Sequence, residues 1–249
     1  MKLQSYCNNK EELADFFGIR AESYRFLSLF FAREPDKGFL RFIAESKKDL
    51  LGLFSWNQKC FMLIDRLADE AVSILESDAD DKLTGLQSDY HCLFVGPSGP
   101  YAPPWESVHT SEDKLLFGES TFTVRNEYKK FGFQFSLIDK EPDDHIAAEL
   151  QFIACLLDLA IKGMEEKQFD YPEEIIKAQK KFLDNHICKW TESFCDLIYE
   201  KTKENYFKTV SMILREFVKS NAEEIEALLS LEISLTLPLP SGERSKVRG

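Results

Sequence analysis

The sequence predicts an all-α fold, a single-domain helical bundle around one central apolar helix at about residues 142–165. Three observations predict it. Apolar residues recur at intervals of three and four along most of the chain, which is the helical period. The run FIACLLDLAI, Phe152 to Ile161, is apolar almost all round, as a helix enclosed by others must be. Gly and Pro are sparse, 11 and 9 in 249 residues, while Leu, Phe, Ile, Lys and Glu dominate. A chain of this length buries a substantial core without needing a second domain. Residues 1–232 are therefore assigned to one helical domain, and 233–249, Pro-punctuated and basic at its end, to a flexible C-terminal tail.

Taken in order, a first helix runs from about Asn9, a capping residue, to Phe31, with Leu13, Phe16, Phe17, Tyr24, Leu27 and Phe30 on one stripe. The Arg33-Glu34-Pro35 turn ends it, a second helix follows from Pro35 to Ser46, and Leu50-Leu51-Gly52 reads as a loop. Gln58 to Ser77 repeats the helical stripe, and Asp78, Asp80 and Asp81 break and recap the chain. Asp81 to Val95 is helical until Gly96-Pro97 stops it. Ser111 to Phe131 is expected as one helix, weakest at β-branched Thr121, Thr123 and Val124. Gly132 to Lys140 reads as an extended connector, because one short strand has no partner elsewhere.

The central helix is opened by Pro142, which suits a first helical position, with Asp143 and Asp144 complementing the positive end of its dipole. Ile146, Leu150, Ile153, Leu157 and Ile161 form one face, and Asp144, His145, Ala148 and Phe152 form another that is expected to line a groove. Helices from Tyr171 to Ile187 and Cys188 to Lys203, with a bend near His186, and from Asn205 to Leu231 complete the bundle.

The net charge of −12 repels phosphate backbones and anionic membrane surfaces, which argues against nucleic acid as a partner and favours basic ones. Six cysteines, Cys7, Cys60, Cys92, Cys155, Cys188 and Cys195, form no paired motif and read as free, largely buried thiols of a reducing compartment. No apolar run reaches the roughly 18 residues of a membrane span, and no signal-peptide pattern opens the chain. The expectation is a cytoplasmic protein.

Two islands depart from the helical pattern. Leu93 to Thr110, LFVGPSGPYAPPWESVHT, is a constrained loop in which Pro103-Pro104 holds Tyr101 and Trp105 at low entropic cost, as aromatic anchors of binding surfaces are held. The plainer reading is that Trp105 turns inward as a plug of the core. Glu141 to Glu149, EPDDHIAAE, gathers carboxylates and an imidazole that suit a guanidinium, or that simply cap a helix. His145 and Glu149, four apart, would suit a metal, which gives a rival reading as a metal-dependent helical hydrolase. No third ligand stands out among His91, His109 and His186, and no phosphate-binding loop or nucleophile elbow is present, so no metal or cofactor is assigned.

These islands, with FLDNHICKWTESFCDLI at Phe182 to Ile198, resemble the TorD/DmsD/NarJ family of redox-enzyme maturation chaperones. The resemblance implies an all-helical protein that is not an enzyme. It implies binding, in the cytoplasm, of the twin-arginine signal peptide and folded part of a molybdopterin oxidoreductase subunit, of the dimethyl sulfoxide or trimethylamine oxide reductase type. It further implies that the subunit is held back from export until its cofactor is inserted, with molybdenum-cofactor biosynthesis proteins as candidate further partners. The carrier is expected as a monomer or a domain-swapped dimer. Family recognition residues map to Pro104, Trp105, Glu106, Ser107, Asp144 and His145. The physical reading adds Asp143 as an acidic contact and Tyr101 and Phe152 as apolar ones, while His109, where the family more often has an aromatic residue, is left as either a stacking surface or a titratable contact. On this view Asp144→Ala or His145→Ala weakens peptide binding with little change in thermal stability.

Overall fold

The computed structural model describes residues 10–76, 79–96, 99–113, 116–134, 141–166 and 171–236. Among them every regular element is a helix: α1 (Lys10–Ala32), α2 (Lys37–Glu45), α3 (Lys47–Leu53), α4 (Gln58–Glu76), α5 (Ala79–Tyr90), α6 (Glu106–Thr110), α7 (Glu119–Lys130), α8 (Ile146–Glu165), α9 (Tyr171–Phe182), α10 (Cys188–Lys201) and α11 (Asn205–Thr236). Single π turns at His91–Val95 and Leu183–Ile187 extend α5 and join α9 to α10. The second of these falls at His186, where the sequence suggests a bend between two helices. Among the described residues no helix is long and apolar enough to cross a membrane.

α8 is central, packed along α1 on one side and α9 on another, while α11 packs against α10 and α4. Both of its faces are covered. Ile146, Leu150, Ile153 and Leu157 are fully buried, and so, against expectation, are Ala148 and Phe152. The Phe152 ring lies 4.7 Å from that of Tyr128 and 4.8 Å from that of Phe182. Burying one such ring contributes roughly 1.5–3 kcal/mol, which is reason enough for α7 and α9 to close over this face and leave no groove along it.

Other boundaries move for identifiable reasons. Leu50-Leu51-Gly52 is helical in α3, because Leu50 is buried and its packing outweighs the helix cost of Gly52. The helix expected from Ser111 starts only at Glu119, after a turn in which Phe117 takes φ 62°. α8 begins at Ile146 rather than Pro142, because Asp143 and Asp144 serve other elements and His145 is the capping residue. α11 runs to Thr236, into the stretch expected as a tail, and residues 237–249 lie outside the described ones, as do Cys7, Asn9 and most of the 132–140 connector. Cys60 and Cys195 are buried, which pushes their thiols up to about 12, whereas Cys92 and Cys188 are exposed, contrary to the expectation of largely buried thiols.

The loop after the first π turn folds straight back on it. Tyr101 N–H donates to Cys92 O at 3.0 Å and Ala102 N–H to Leu93 O at 2.8 Å. Gly96 makes the reversal at φ 42°, where a Cβ would stand 2.5 Å from Gly99 O, so only glycine fits.

Candidate functional site

The Pro-rich loop and the start of α8 form one structure. Trp105 and His145 make an isolated antiparallel bridge, closed by Glu106 N–H donating to Asp144 O at 3.0 Å and Ile146 N–H donating to Pro104 O at 2.9 Å. Asp144, fully buried, accepts from Ser107 N–H at 2.7 Å and from the Thr121 hydroxyl at 2.8 Å. Ser107 N–H is a first-turn donor of α6 that no carbonyl of the helix reaches, and the N-cap residue Trp105 has no side-chain acceptor for it. One carboxylate therefore caps α6, anchors α7 and sits one residue before the cap of α8.

Asp143 is buried against Arg125, whose Nε and Nη2 lie 2.7 and 2.5 Å from Oδ2, and the Tyr128 hydroxyl donates to Asp143 O at 2.9 Å. His145 caps α8 by accepting from Ala147 N–H at Nδ1, 3.1 Å away. Burial pulls the imidazole down from 6.5 to about 4. The neutral ring is thus the folded form. Its contribution to stability is complete above about pH 6.5 and is lost as pH falls toward 4, to the extent of about 3 kcal/mol. His145→Asn keeps a cap oxygen without the titration. Urea midpoints measured from pH 7.5 to 4.5 are expected to fall less in this variant than in wild type, and equal falls would mean that His145 does not set the acid limb.

Trp105 is half-buried, its Nε1–H donating to Glu141 Oε2 at 3.2 Å and its ring 6.0 Å from that of His145 in an edge-on arrangement. It neither plugs the core nor stands free. Tyr101 is 57% exposed. His109 turns inward as a stacking residue, 5.0 Å from the Trp190 ring, with its nitrogens at Pro103 O (2.8 Å) and Ser193 Oγ (3.0 Å).

Beneath the loop lies a buried acid cluster. Glu106 Oε2 is 2.9 Å from His186 Nδ1, and fully buried Glu149 accepts from Trp190 Nε1–H at 3.2 Å. Burial, then the neighbouring Glu106 and Asp144 carboxylates, push the Glu149 pKa well up. His145 and Glu149 thus have separate partners, one on the backbone of α8 and one on α10, and do not pair as the metal-hydrolase reading required. Among the described residues no group of three His, Cys, Asp or Glu side chains is placed to hold a metal ion.

The structure brings the two sequence islands together but turns most of their polar groups inward. Pro104, Glu106, Ser107, Asp143, Asp144, His145 and Phe152 are all buried with partners in the chain. The expectation that Asp144 and His145 stand as open polar readers is corrected by these bonds, and with it the expectation that Asp144→Ala spares stability. Thr121, Arg125, His186 and Trp190, which hold the islands in place, are not among the expected site residues, although His186 and Trp190 lie in the Phe182 to Ile198 motif that carries the resemblance. A polar β-branched residue in mid-helix, such as Thr121, was the available signal for one of them.

Residues 58–196 match the family model described as nitrate reductase delta subunit. A chaperone protein TorD of Vibrio parahaemolyticus is 27% identical over 84% of this chain and 95% of its own length. A Tat proofreading chaperone DmsD of Salmonella typhi is 28% identical over 49% of this chain and 53% of its own. A crystal structure assigned to the redox enzyme maturation proteins, from Archaeoglobus fulgidus, covers 81% of this chain and 93% of its own at 19% identity and a TM-score of 0.43. The TorD and DmsD relatives are named as chaperones rather than as catalysts, and the family match takes in more than half of the chain. The chain belongs to the nitrate reductase delta subunit family and is a chaperone, not an enzyme.

Proposed function

We propose that this chaperone binds the twin-arginine signal peptide of a molybdoenzyme catalytic subunit in the cytoplasm, delaying export until the cofactor is in place. The relatives named TorD and DmsD support this reading, as do the acidic net charge and its attraction for a basic peptide. The observation that carries it is the rigid presentation of Tyr101 and Trp105 by a loop fastened to the central helix. In this reading these two rings are the peptide's apolar contacts. Pro104, Glu106, Ser107, His109, Asp143, Asp144, His145 and Phe152 act by holding the loop in register.

Calorimetric titration with a synthetic twin-arginine signal peptide tests it. Trp105→Ala is expected to weaken binding roughly 30-fold, the effect of about 2 kcal/mol at a binding hot spot, and Tyr101→Ala several-fold. Affinity unchanged in both variants would exclude the loop as the contact surface.

A further inference from the structure

Beside the loop, between α6, α7 and the second π turn, lies an open cleft of about 500 Å³ lined by Glu106, Glu119, Ser120, Glu127, His186 and Lys189. His186 is buried to 6% exposure, its Nδ1 is taken by Glu106, and its Nε2 has no hydrogen-bond partner among the described residues. With Nδ1–H donating to the Glu106 carboxylate, Nε2 offers a lone pair to the cleft. Glu119, exposed in the first turn of α7 at the mouth of the cleft, has no ion-pair partner among the described residues. Glu127, in contrast, is already matched by Lys130 at 2.8 Å and Lys181 at 3.4 Å. Lys189 is the cation of the rim.

We propose that this cleft is the subsite for a guanidinium group, the side chain of an arginine in the bound peptide, with Glu119 and His186 Nε2 as its acceptors. This rests on the signal-peptide reading and deepens it. A guanidinium carries five donors in a planar fork and no acceptor, so it suits a carboxylate, an imidazole lone pair and the Ser120 hydroxyl on neighbouring walls. Lys189 opposes any cation, which makes the count of acceptors, rather than net charge, the basis of selection. Leu116 and Phe117, 44% and 61% exposed, directly precede Gly118 and Glu119. They place apolar surface where the chain following an arginine would pass.

Two measurements test the subsite separately from the function. Titration of the protein with acetyl-arginine methylamide, followed by nitrogen-15 signals of the His186 ring, is expected to shift that ring. The lysine analogue should shift it at least five-fold less at equal concentration, and Glu119→Gln should weaken the arginine response about ten-fold. An unmoved His186 signal, or equal responses to the two amides, overturns the subsite whatever the peptide does. With the signal peptide, changing both arginines to alanine should cost ten-fold or more in wild type and less than three-fold in Glu119→Gln. An equal cost in both proteins overturns the subsite while leaving peptide binding intact. A His186 response to the arginine probe without any binding of the peptide would instead sink the signal-peptide reading and leave the guanidinium subsite standing.

Discussion

Replacing Asp144 with alanine is expected to lower unfolding stability by roughly 3–5 kcal/mol. The carboxylate is fully buried, and its loss strands two donors in the interior, Ser107 N–H and the Thr121 hydroxyl. Each buried donor left without a partner costs roughly 1–3 kcal/mol. In a domain of this size that corresponds to a fall in melting temperature on the order of 10 °C. Asp144→Asn keeps one carbonyl oxygen as acceptor and presents an amide to the other donor, so about half of the loss should remain. Urea unfolding of the three proteins at pH 7.5 decides the matter, and an alanine variant within 0.5 kcal/mol of wild type would mean that the cap of α6 is dispensable. The same bonds bear on binding. If Asp144→Ala weakens peptide affinity, the structure requires the loss to arrive with destabilisation, because the loop that carries Trp105 is fastened to α8 immediately beside this carboxylate.

The helices were legible wherever a continuous apolar stripe faced the core, as in α1, α4 and α8, since burial of that stripe is what makes them form. Periodicity failed where a different force set the boundary. Gly52 hides a short helix whose existence depends on one buried leucine, and the acids before α8 look like its own dipole partners although they serve Arg125 and α6. A carboxylate near a helix start has the same local pattern whether it caps that helix or another, and only the position of the second helix distinguishes the two. For the same reason the two islands could be recognised as belonging together, while the direction their side chains face could not. Phe152 and Ala148 occupy a face that reads as free on a helical wheel and is closed by Tyr128 and Phe182, which lie far from it in sequence.

The second large effect concerns Glu149, and it separates neutralising this group from removing it. As carboxylates, Glu149 and Glu106 offer each other no donor, and Glu149 Oε1 has no partner in that form. A proton on Glu149 supplies the missing donor toward Glu106, consistent with the upward push on its pKa from burial and from the neighbouring acids. A raised acid favours folding when protonated. Its contribution is complete below the ordinary carboxylate range near pH 4.3 and is lost as pH rises through the raised value. Glutamine reproduces the protonated acid, its amide N–H donating to Glu106 and its oxygen accepting from Trp190 Nε1–H. Glu149→Gln is therefore expected to be at least as stable as wild type at pH 8 and to decline less between pH 6 and 9. Glu149→Leu fills similar volume but leaves the buried Trp190 N–H without an acceptor and Glu106 without one of its donors, a loss of about 2–4 kcal/mol where the wild-type acid is protonated, narrowing as pH rises and that acid ionises. Chemical unfolding across that pH range tests both variants, and a glutamine variant more than about 1 kcal/mol less stable than wild type at pH 8 would show that the site holds an ionised Glu149.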